Sequence, residues 1–271
     1  MSPDELHGKL AELAREGRRF VLALVVDTSG SSPQKPGARL ALVDDGRLLG
    51  TIGGGAIEKQ IIDAAQALLD TPSAPQTRLL ETHLTRDLGM CCGGKMTVFL
   101  ERHEPAAMLW LFGAGHVNRA LAAAAADVGF RVSVIDEREE WLTPERFPRA
   151  NRIQEDPKLA ARRIDVQARD LVAVATHDHA LDEDVLVALA GKPMSYLGCI
   201  GSARKAIRFR ERLSARGLSP ADIERMQMPM GLDIGAQSPE EIAIAIVAEL
   251  IRARAAQAAR ANGPRVVKAS D

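Results

Sequence analysis

Residues 107–121, AMLWLFGAGHVNRAL, constrain the fold more than any other stretch of this sequence. Met108 to Phe112 is a short run in which successive positions on both faces are apolar, which is typical of a strand buried in a parallel sheet. It ends at Gly113-Ala114-Gly115, and helix-forming residues follow from His116 to Ala126. A strand, a glycine turn and a helix open a dinucleotide-binding unit, because free N–H groups at the helix start attract a pyrophosphate.

Two further positions bear on this motif. Asn118 stands where the dinucleotide fingerprint has another glycine, about one turn after Gly115. A second predicted strand, Arg131 to Ile135, ends at Asp136, 23 positions after Gly113. The carboxylate that binds a ribose hydroxyl is expected after about 20 residues. We therefore predict a Rossmann-like fold here, and we treat nucleotide binding as a separate hypothesis because fold does not imply function.

Two more predicted strands of this part, Asp170 to Ala175 and Met194 to Leu197, also end in polar loops. Ligands of open parallel sheets bind in loops beyond the carboxyl ends of the strands. The histidines and carboxylates after the first of these strands suit a metal or proton transfer, and equally suit helix caps and surface hydrogen bonds. The candidates for a nucleotide or second anion site are Gly113, Gly115, His116, Asp136, Arg138, His177, Asp178, Gly201, Ser202 and Lys205.

The N-terminal part carries two motifs in predicted loops. The segment from Asp27 to Arg39 is too rich in glycine, proline and serine for regular structure. Its hydroxyls and cations suit the binding of an oxyanion or a polar heterocycle. A solvated hairpin loop without a ligand is an equally good interpretation of these residues. Gly53-Gly54-Gly55 precedes a predicted helix, Ala56 to Leu69, whose first N–H groups suit an anion. Glu58 in its first turn suits the helix dipole or the N–H groups of a ligand, and a plain tight turn is the alternative.

A third motif, Cys91-Cys92-Gly93-Gly94-Lys95, precedes a predicted strand, Met96 to Glu101. Adjacent cysteines resist pairing with each other, and no second cysteine pair is present to complete a zinc site. A reactive thiol remains, because the glycines leave Cys92 accessible and Lys95 favours the thiolate. The alternative is two small buried hydrophobic residues in a turn.

The length of 271 residues suits two domains. We predict an α/β protein with a mixed α/β N-terminal domain at 1–103, a Rossmann-like parallel-sheet domain at 107–262 and a disordered tail at 263–271. A net charge of −1 and nine aromatic residues disfavour nucleic acid as a partner. We expect no membrane span and a cytoplasmic location, because the early aliphatic run is short, no signal pattern begins the chain and three cysteines make no disulfide framework.

Eight strings occur in an order that resembles the XdhC family of xanthine dehydrogenase accessory proteins, over residues 20 to about 252. They are GSSPQKPGARL, TIGGGAIE, CCGGKMTVFLE, FGAGHVNRAL, VIDEREEW, ATHDHALDEDVL, YLGCIGSARK and PMGLDIGAQSPEEIAIAIVAELI. The resemblance implies a chaperone, without turnover of its own, that binds the molybdenum cofactor (molybdopterin carrying molybdenum). Such a chaperone holds the cofactor while a cysteine desulfurase exchanges an oxo ligand for sulfur, and then delivers it to the molybdenum subunit of apo xanthine dehydrogenase.

The same resemblance indicates which residues contact the cofactor. It points to Cys91 and Cys92, with Cys92 as a possible molybdenum contact, and the protein alone supplies no metal site. Matching motifs contain Ser31, Ser32, Lys35, Arg39, Gly53, Gly54, Gly55 and Glu58. Asn118 departs from the glycine that family members usually have. The broad apolar stripe of the last predicted helix, together with the resemblance, predicts a homodimer.

Three other functions compete with this one. An NAD(P)-dependent oxidoreductase would use the 113–118 turn and Asp136, with His177 or His179 as the acid–base group. A sulfur carrier would use Cys92 as a persulfide site and bind no pterin. A non-catalytic scaffold would dock through the last helix.

Overall fold

The computed structural model describes residues 1–71, 74–89 and 93–262, with side chains up to 257. Cys91, Cys92 and the tail 263–271 lie outside these residues, so the predictions that fall on them stay predictions. Two compact units are present, with Met1–Pro105 in the first and Ala106–Ala258 in the second. No helix in the described part of the chain is both long and apolar enough to cross a membrane.

The first unit is built on an antiparallel sheet of five strands in the order β3-β2-β1-β5-β4. Its strands are β1 (Phe20–Ser29), β2 (Arg39–Val43), β3 (Leu48–Gly50), β4 (Thr77–His83) and β5 (Lys95–His103), and its helices are α1 (Pro3–Glu16), α2 (Gly55–Asp70) and α3 (Leu84–Leu88). Alternate strand residues face opposite sides of the sheet. Val21, Ala23 and Val25 pack in the core with α2, whereas Phe20 packs with α1.

Sequence-level capping signals set the start of α1. The Ser2 hydroxyl accepts from the Glu5 amide and the Glu5 carboxylate accepts from the Ser2 amide, with Pro3 at the first helical position. Ser2 and Glu5 thus form a capping box, a helix start that this sequence pattern indicates. Gly17, in the left-handed conformation, ends the helix.

Strand β1 is longer than its run of apolar residues indicates. Sequence pattern alone ends it at Val26, but its pairing with β5 continues through Ser29, opposite Lys95. A bulge between Val25 and Asp27 shifts the register, so the polar end of the strand remains paired although its apolar alternation has stopped. The segment beginning at Gly30 therefore leaves the sheet beside the start of β5.

The second unit is a six-stranded parallel sheet in the order β11-β10-β9-β6-β7-β8. Its strands are β6 (Met108–Phe112), β7 (Arg131–Asp136), β8 (Asn151–Gln154), β9 (Leu171–Val174), β10 (Tyr196–Cys199) and β11 (Met226–Gln227). Its helices are α4 (His116–Asp127), α5 (Pro157–Arg163), α6 (His179–Leu189), α7 (Ala203–Ala215), α8 (Pro220–Glu224) and α9 (Pro239–Asn262). The chain adds strands outward from β6 in one direction and then from β9 in the other, which is the Rossmann order. The predicted α/β fold class is confirmed.

Asn118 is fully buried at the start of α4. Its side-chain amide donates to the carbonyl oxygens of Phe112 and Gly113, at 3.0 and 2.8 Å. The Phe112 carbonyl also accepts from the Ala175 amide at 2.9 Å, so Asn118 adds a second donor at the carboxyl end of this central strand. An asparagine in place of the expected glycine therefore ties the helix to the strand end by hydrogen bonds instead of by close backbone contact.

Gly113 is required where β6 passes the end of β9. Its φ of +102° suits glycine, and a Cβ there would lie inside van der Waals contact with the carbonyl group of Ala175. Gly115, at φ −66°, has open space around a hypothetical Cβ.

We expect Gly113→Ala to lower the free energy of unfolding by about 2 kcal/mol or more, because it adds both backbone strain and a steric clash. The matched control Gly115→Ala should cost less than about 1 kcal/mol. Urea denaturation followed by far-UV circular dichroism measures both. If both variants lose the same free energy of unfolding, this account of the contact between Gly113 and Ala175 is wrong.

Candidate functional site

The N-terminal unit brings two predicted motifs into contact at Gly94. A Cβ on Gly94 would collide with the carbonyl oxygens of Ser29 and Ser31. Gly30, at φ +68°, in turn faces the Cα of Gly94, which lies 3.1 Å from a Cβ built on Gly30. The loop that carries Ser31 and Ser32 therefore lies directly against the residues that follow Cys92 in the sequence.

The same loop also lies against the triple-glycine turn. A Cβ on Gly53, at φ +121°, would be 2.7 Å from the Cβ of Pro33. The Ser32 hydroxyl donates to the carbonyl of Gln34 at 2.8 Å, which closes a tight turn at this contact. Lys35, farther along the loop, is exposed. Backbone and proline contacts thus join three segments that are distant in sequence.

Glu58 binds the backbone of the triple-glycine turn. Its Oε2 accepts hydrogen bonds from the Thr51 hydroxyl and from the amides of Ile52 and Gly54, the latter two at 3.1 Å. Burial by itself would raise the pKa of Glu58, but these hydrogen bonds outweigh it and hold the pKa below its usual value. The carboxylate is therefore ionised at neutral pH. A ligand anion at Gly53 to Gly55 would have to share these amides with Glu58 or displace it.

A cavity of about 350 Å³ opens beside this turn. It is bounded by the start of α1, by the end of the serine-rich loop and by the end of β3: Met1, Ser2, Pro3, Leu6, Gln34, Gly37, Ala38, Arg39, Gly50 and Thr51. Arg39 is the charged side chain of this lining, and it donates to the carbonyl of Gly37 at 3.3 Å. The volume falls within the range of small-molecule sites.

Asp136 at the end of β7 is already engaged within the chain. It is 1% exposed; its carboxylate accepts from the Ala114 amide at 2.7 Å and from the Arg138 guanidinium at 2.9 and 2.8 Å. Burial would raise its pKa, but the hydrogen bonds from Arg138 and Ala114 outweigh burial and lower it. His116 and Arg138 both contact the ring of Trp141. The carboxylate proposed to bind a ribose hydroxyl thus holds the glycine turn itself.

The loops after β9 and β10 are joined through Asp182. This buried carboxylate accepts from the amide and hydroxyl of Thr176 and from Lys205 Nζ, the last at 2.8 Å. Asp178 caps α6 by accepting from the Ala180 amide. His177 is exposed. Among the residues that the structure describes, no group of three or more histidines, cysteines and carboxylates is placed to hold a metal ion.

Gly201 and Ser202 fix the start of α7. A Cβ on Gly201 would lie 2.5 Å from the Cδ of Lys205, so glycine lets the lysine stem fold back over the turn. Ser202 caps the helix by accepting from the Lys205 amide at 3.2 Å. The predicted residues Gly201, Ser202 and Lys205 therefore lie together.

Cys199 is buried in β10. Burial, followed in importance by the neighbouring carboxylate of Asp182, raises the pKa of its thiol to about 12. A thiol in this environment stays protonated at neutral pH and is a poor nucleophile. Thiol chemistry in this chain is therefore not expected from Cys199.

We expect Glu58→Gln to lower the free energy of unfolding at pH 7 by about 1 kcal/mol, because the hydrogen bonds to the ionised carboxylate weaken. The folded-state pKa of Glu58 lies below its unfolded value, so its contribution is complete above about pH 4.3 and is lost as pH falls through the folded pKa. The difference between parent and variant, measured by urea denaturation, should therefore shrink from pH 7 to pH 3. The control Glu16→Gln, at an exposed carboxylate, should show no such change, and a constant difference for Glu58→Gln would refute the account.

Comparison with known proteins agrees with the fold and the motifs. The family described as "XdhC Rossmann domain" matches residues 109–250, and the "XdhC and CoxI family" matches residues 13–80. A crystal structure described as a xanthine dehydrogenase from Bacillus halodurans covers 97% of this chain and 98% of its own, with a TM-score of 0.53 and 24% identity, and shows the same fold.

Three relatives cover about nine-tenths of this chain. "Uncharacterized protein YqeB" of Escherichia coli (strain K12) is 36% identical over 90% of the chain, which spans only 45% of YqeB. A probable xanthine dehydrogenase subunit of Bacillus subtilis (strain 168) is 27% identical over 92% of this chain and 97% of the relative. "Molybdenum cofactor insertion chaperone PaoD" of Escherichia coli (strain K12) is 21% identical over 90% and 86%. With one matching family model covering more than half of its length, the chain belongs to the XdhC family.

Proposed function

We propose that this chain is a maturation chaperone that holds the molybdenum cofactor for sulfuration and delivers it to apo xanthine dehydrogenase. Membership of the XdhC family supports the proposal, as do relatives whose names refer to xanthine dehydrogenase and to molybdenum cofactor insertion. The partners of this proposal are the molybdenum subunit of the dehydrogenase, a cysteine desulfurase and a second copy of this chain.

The observation that carries the proposal is the contact of Gly94 with the Ser29–Ser31 backbone. It places the serine-rich loop beside the segment that follows the two cysteines, while Gly53 places the same loop beside the triple-glycine turn. Residue types suited to the parts of a metal-bearing pterin are thus gathered in one unit. A loop that only faced solvent would not require glycine at positions 53 and 94, where it approaches the other two segments.

The chemistry of the cofactor fits these groups. Its phosphate suits Arg39 and the hydroxyls of Ser31 and Ser32, because charge-assisted hydrogen bonds to phosphate are strong. The N–H groups of its pterin ring suit a carboxylate such as Glu58. Its molybdenum suits the thiolate of Cys91 or Cys92. A carrier must release its cargo, and several polar contacts of moderate strength serve that need better than a closed cage.

We expect at least one of the single variants Cys91→Ala and Cys92→Ala to contain at least tenfold less cofactor than the parent after purification. The measurement is molybdenum by mass spectrometry and oxidised pterin by fluorescence, on protein expressed in cells that make the cofactor. Cys199→Ala is the matched control, because it removes a thiol that is buried in β10, and it should retain the cofactor. If Cys91→Ala and Cys92→Ala each contain as much cofactor as the parent and Cys199→Ala, the proposed role of the cysteine pair is wrong.

Gly94→Ala tests the backbone contact without changing a functional group. A methyl group there would push the Ser29–Ser31 backbone away, so the variant should lose most of its cofactor. Gly93→Ala is the control, since a Cβ at Gly93 meets open space. Thermal melts of both variants separate a local effect from unfolding of the unit. If both variants keep the parental cofactor content, the contact at Gly94 is irrelevant to binding.

The oxidoreductase alternative makes a different prediction. The pure protein would then bind NAD(H) or NADP(H) and would contain neither molybdenum nor pterin. Fluorescence titration with the reduced nucleotides, run beside the molybdenum assay, distinguishes the two functions. The engagement of Asp136 by Arg138 and the Ala114 amide favours the chaperone, because this carboxylate is not free for a ribose.

A further inference from the structure

The start of α7 borders a basic cavity of about 190 Å³ in the Rossmann unit. Its lining combines four cationic side chains with a histidine, a hydroxyl and an aromatic ring: Arg204, Lys205, Arg208, Arg212, His179, Ser202 and Phe209. None of these lining residues carries a carboxylate. A cavity with this composition repels cations and attracts anions.

Two of the four cations are neutralised by carboxylates outside the cavity. Lys205 pairs with Asp182 at 2.8 Å, and Arg212 pairs with Glu183 at 2.9 Å. Both carboxylates are buried on α6. These pairs hold α7 against α6, so they have a structural role.

Arg204 and Arg208 have no such role. Within the part of the chain that the structure describes, no hydrogen bond or ion pair engages either guanidinium, and both side chains are exposed. They lie four residues apart and so share one face of the helix, where like charges at this spacing destabilise it. Repulsion between the two guanidinium groups therefore destabilises α7, and no contact within the described chain offsets this repulsion.

The floor and rim of the cavity are fixed before any ligand binds. Phe209 is 3% exposed, with Lys205 Nζ 4.6 Å from its ring centroid and His179 edge-on at 6.2 Å. The Ser202 cap and the Lys205 hydrogen bond to the Ile200 carbonyl hold the start of the helix. These groups are ordered before a ligand binds, so the cost of ordering falls on Arg204 and Arg208.

We propose that this cavity binds a phosphoryl group, of the kind carried by pyrophosphate or by a 5′-mononucleotide. Two unpaired guanidinium groups match two negative charges, and the fork of guanidinium donors matches phosphate oxygens. The site is formed by the first turns of α7 and by His179 at the start of α6, and the glycine turn at 113–115 is not part of it. It does not depend on the proposed chaperone function.

Isothermal titration calorimetry of the full chain, purified from cells that do not make the molybdenum cofactor, tests the site. Pyrophosphate and AMP are the two probes, in chloride buffer at low ionic strength. We expect binding that weakens with added salt, and a loss of at least tenfold in affinity in the double variant Arg204→Gln/Arg208→Gln. Both side chains are exposed and their mutual repulsion is removed, so the double variant should melt at the parental temperature or slightly above it.

Arg162→Gln is the matched control, because it removes the same charge from an exposed position on α5 away from the cavity. It should leave affinity within about twofold of the parent. Binding of both probes, or of pyrophosphate alone, indicates the phosphoryl group, and binding of AMP alone indicates that the nucleoside is also recognised; each supports the site if the double variant loses it. Absence of binding of both probes up to about 10 mM, or equal affinity in the double variant, overturns the proposal.

Discussion

The pairing of β1 with β5 is the interaction on which the candidate site of the N-terminal unit depends. The ladder continues past a bulge to Ser29 and Lys95, and this length decides where the serine-rich loop leaves the sheet. Backbones that cross at such an exit have no room for side chains, which accounts for glycine at positions 30 and 94. The motifs meet because of a strand register, and not because their own side chains attract one another.

Carboxylates that accept backbone amides occur in both units. Glu58, Asp136 and Asp182 each accept backbone amides at a junction where a strand leads into a loop or helix. Amides at such junctions suit external anions, and an internal carboxylate satisfies them equally well. A glycine-rich turn before a helix is therefore compatible with two outcomes, and the position of the nearest carboxylate in the folded structure separates them. By this criterion the guanidinium pair on α7 stands apart, since the carboxylates near it are paired with other cations.

Much of the fold was predictable from hydrophobic pattern and capping. The buried strands of the Rossmann unit are continuous apolar runs. Three serines mark helix starts in the sequence: Ser2 caps α1, Ser202 caps α7 and Ser219 caps α8. Strand β4 was missed, because TRLLETH lies at the sheet edge with most of its residues exposed and has no apolar alternation. Helix α3 was missed because five residues give too little periodicity.

The site was less predictable than the fold. Glu58 was identified as a candidate, but its bond to Thr51 joins two elements and leaves no local signal. The hydrogen bonds of Asn118 likewise depend on the path of β6. The sequence does not mark Arg204 as a binding residue, because an arginine on an amphipathic helix usually lies on the face exposed to solvent. Which cation lacks a partner is a property of packing, so it appears only when every neighbour is known.

The thiol buried in β10 has a practical consequence. Because Cys199 is protonated and shielded in the closed sheet, an alkylating reagent can reach it only when the strands around it separate. The rate at which the peptide that carries Cys199 is alkylated under excess reagent thus measures transient opening of the Rossmann unit. Mass spectrometry of the digested protein separates this signal from alkylation of Cys91 and Cys92 in the other unit.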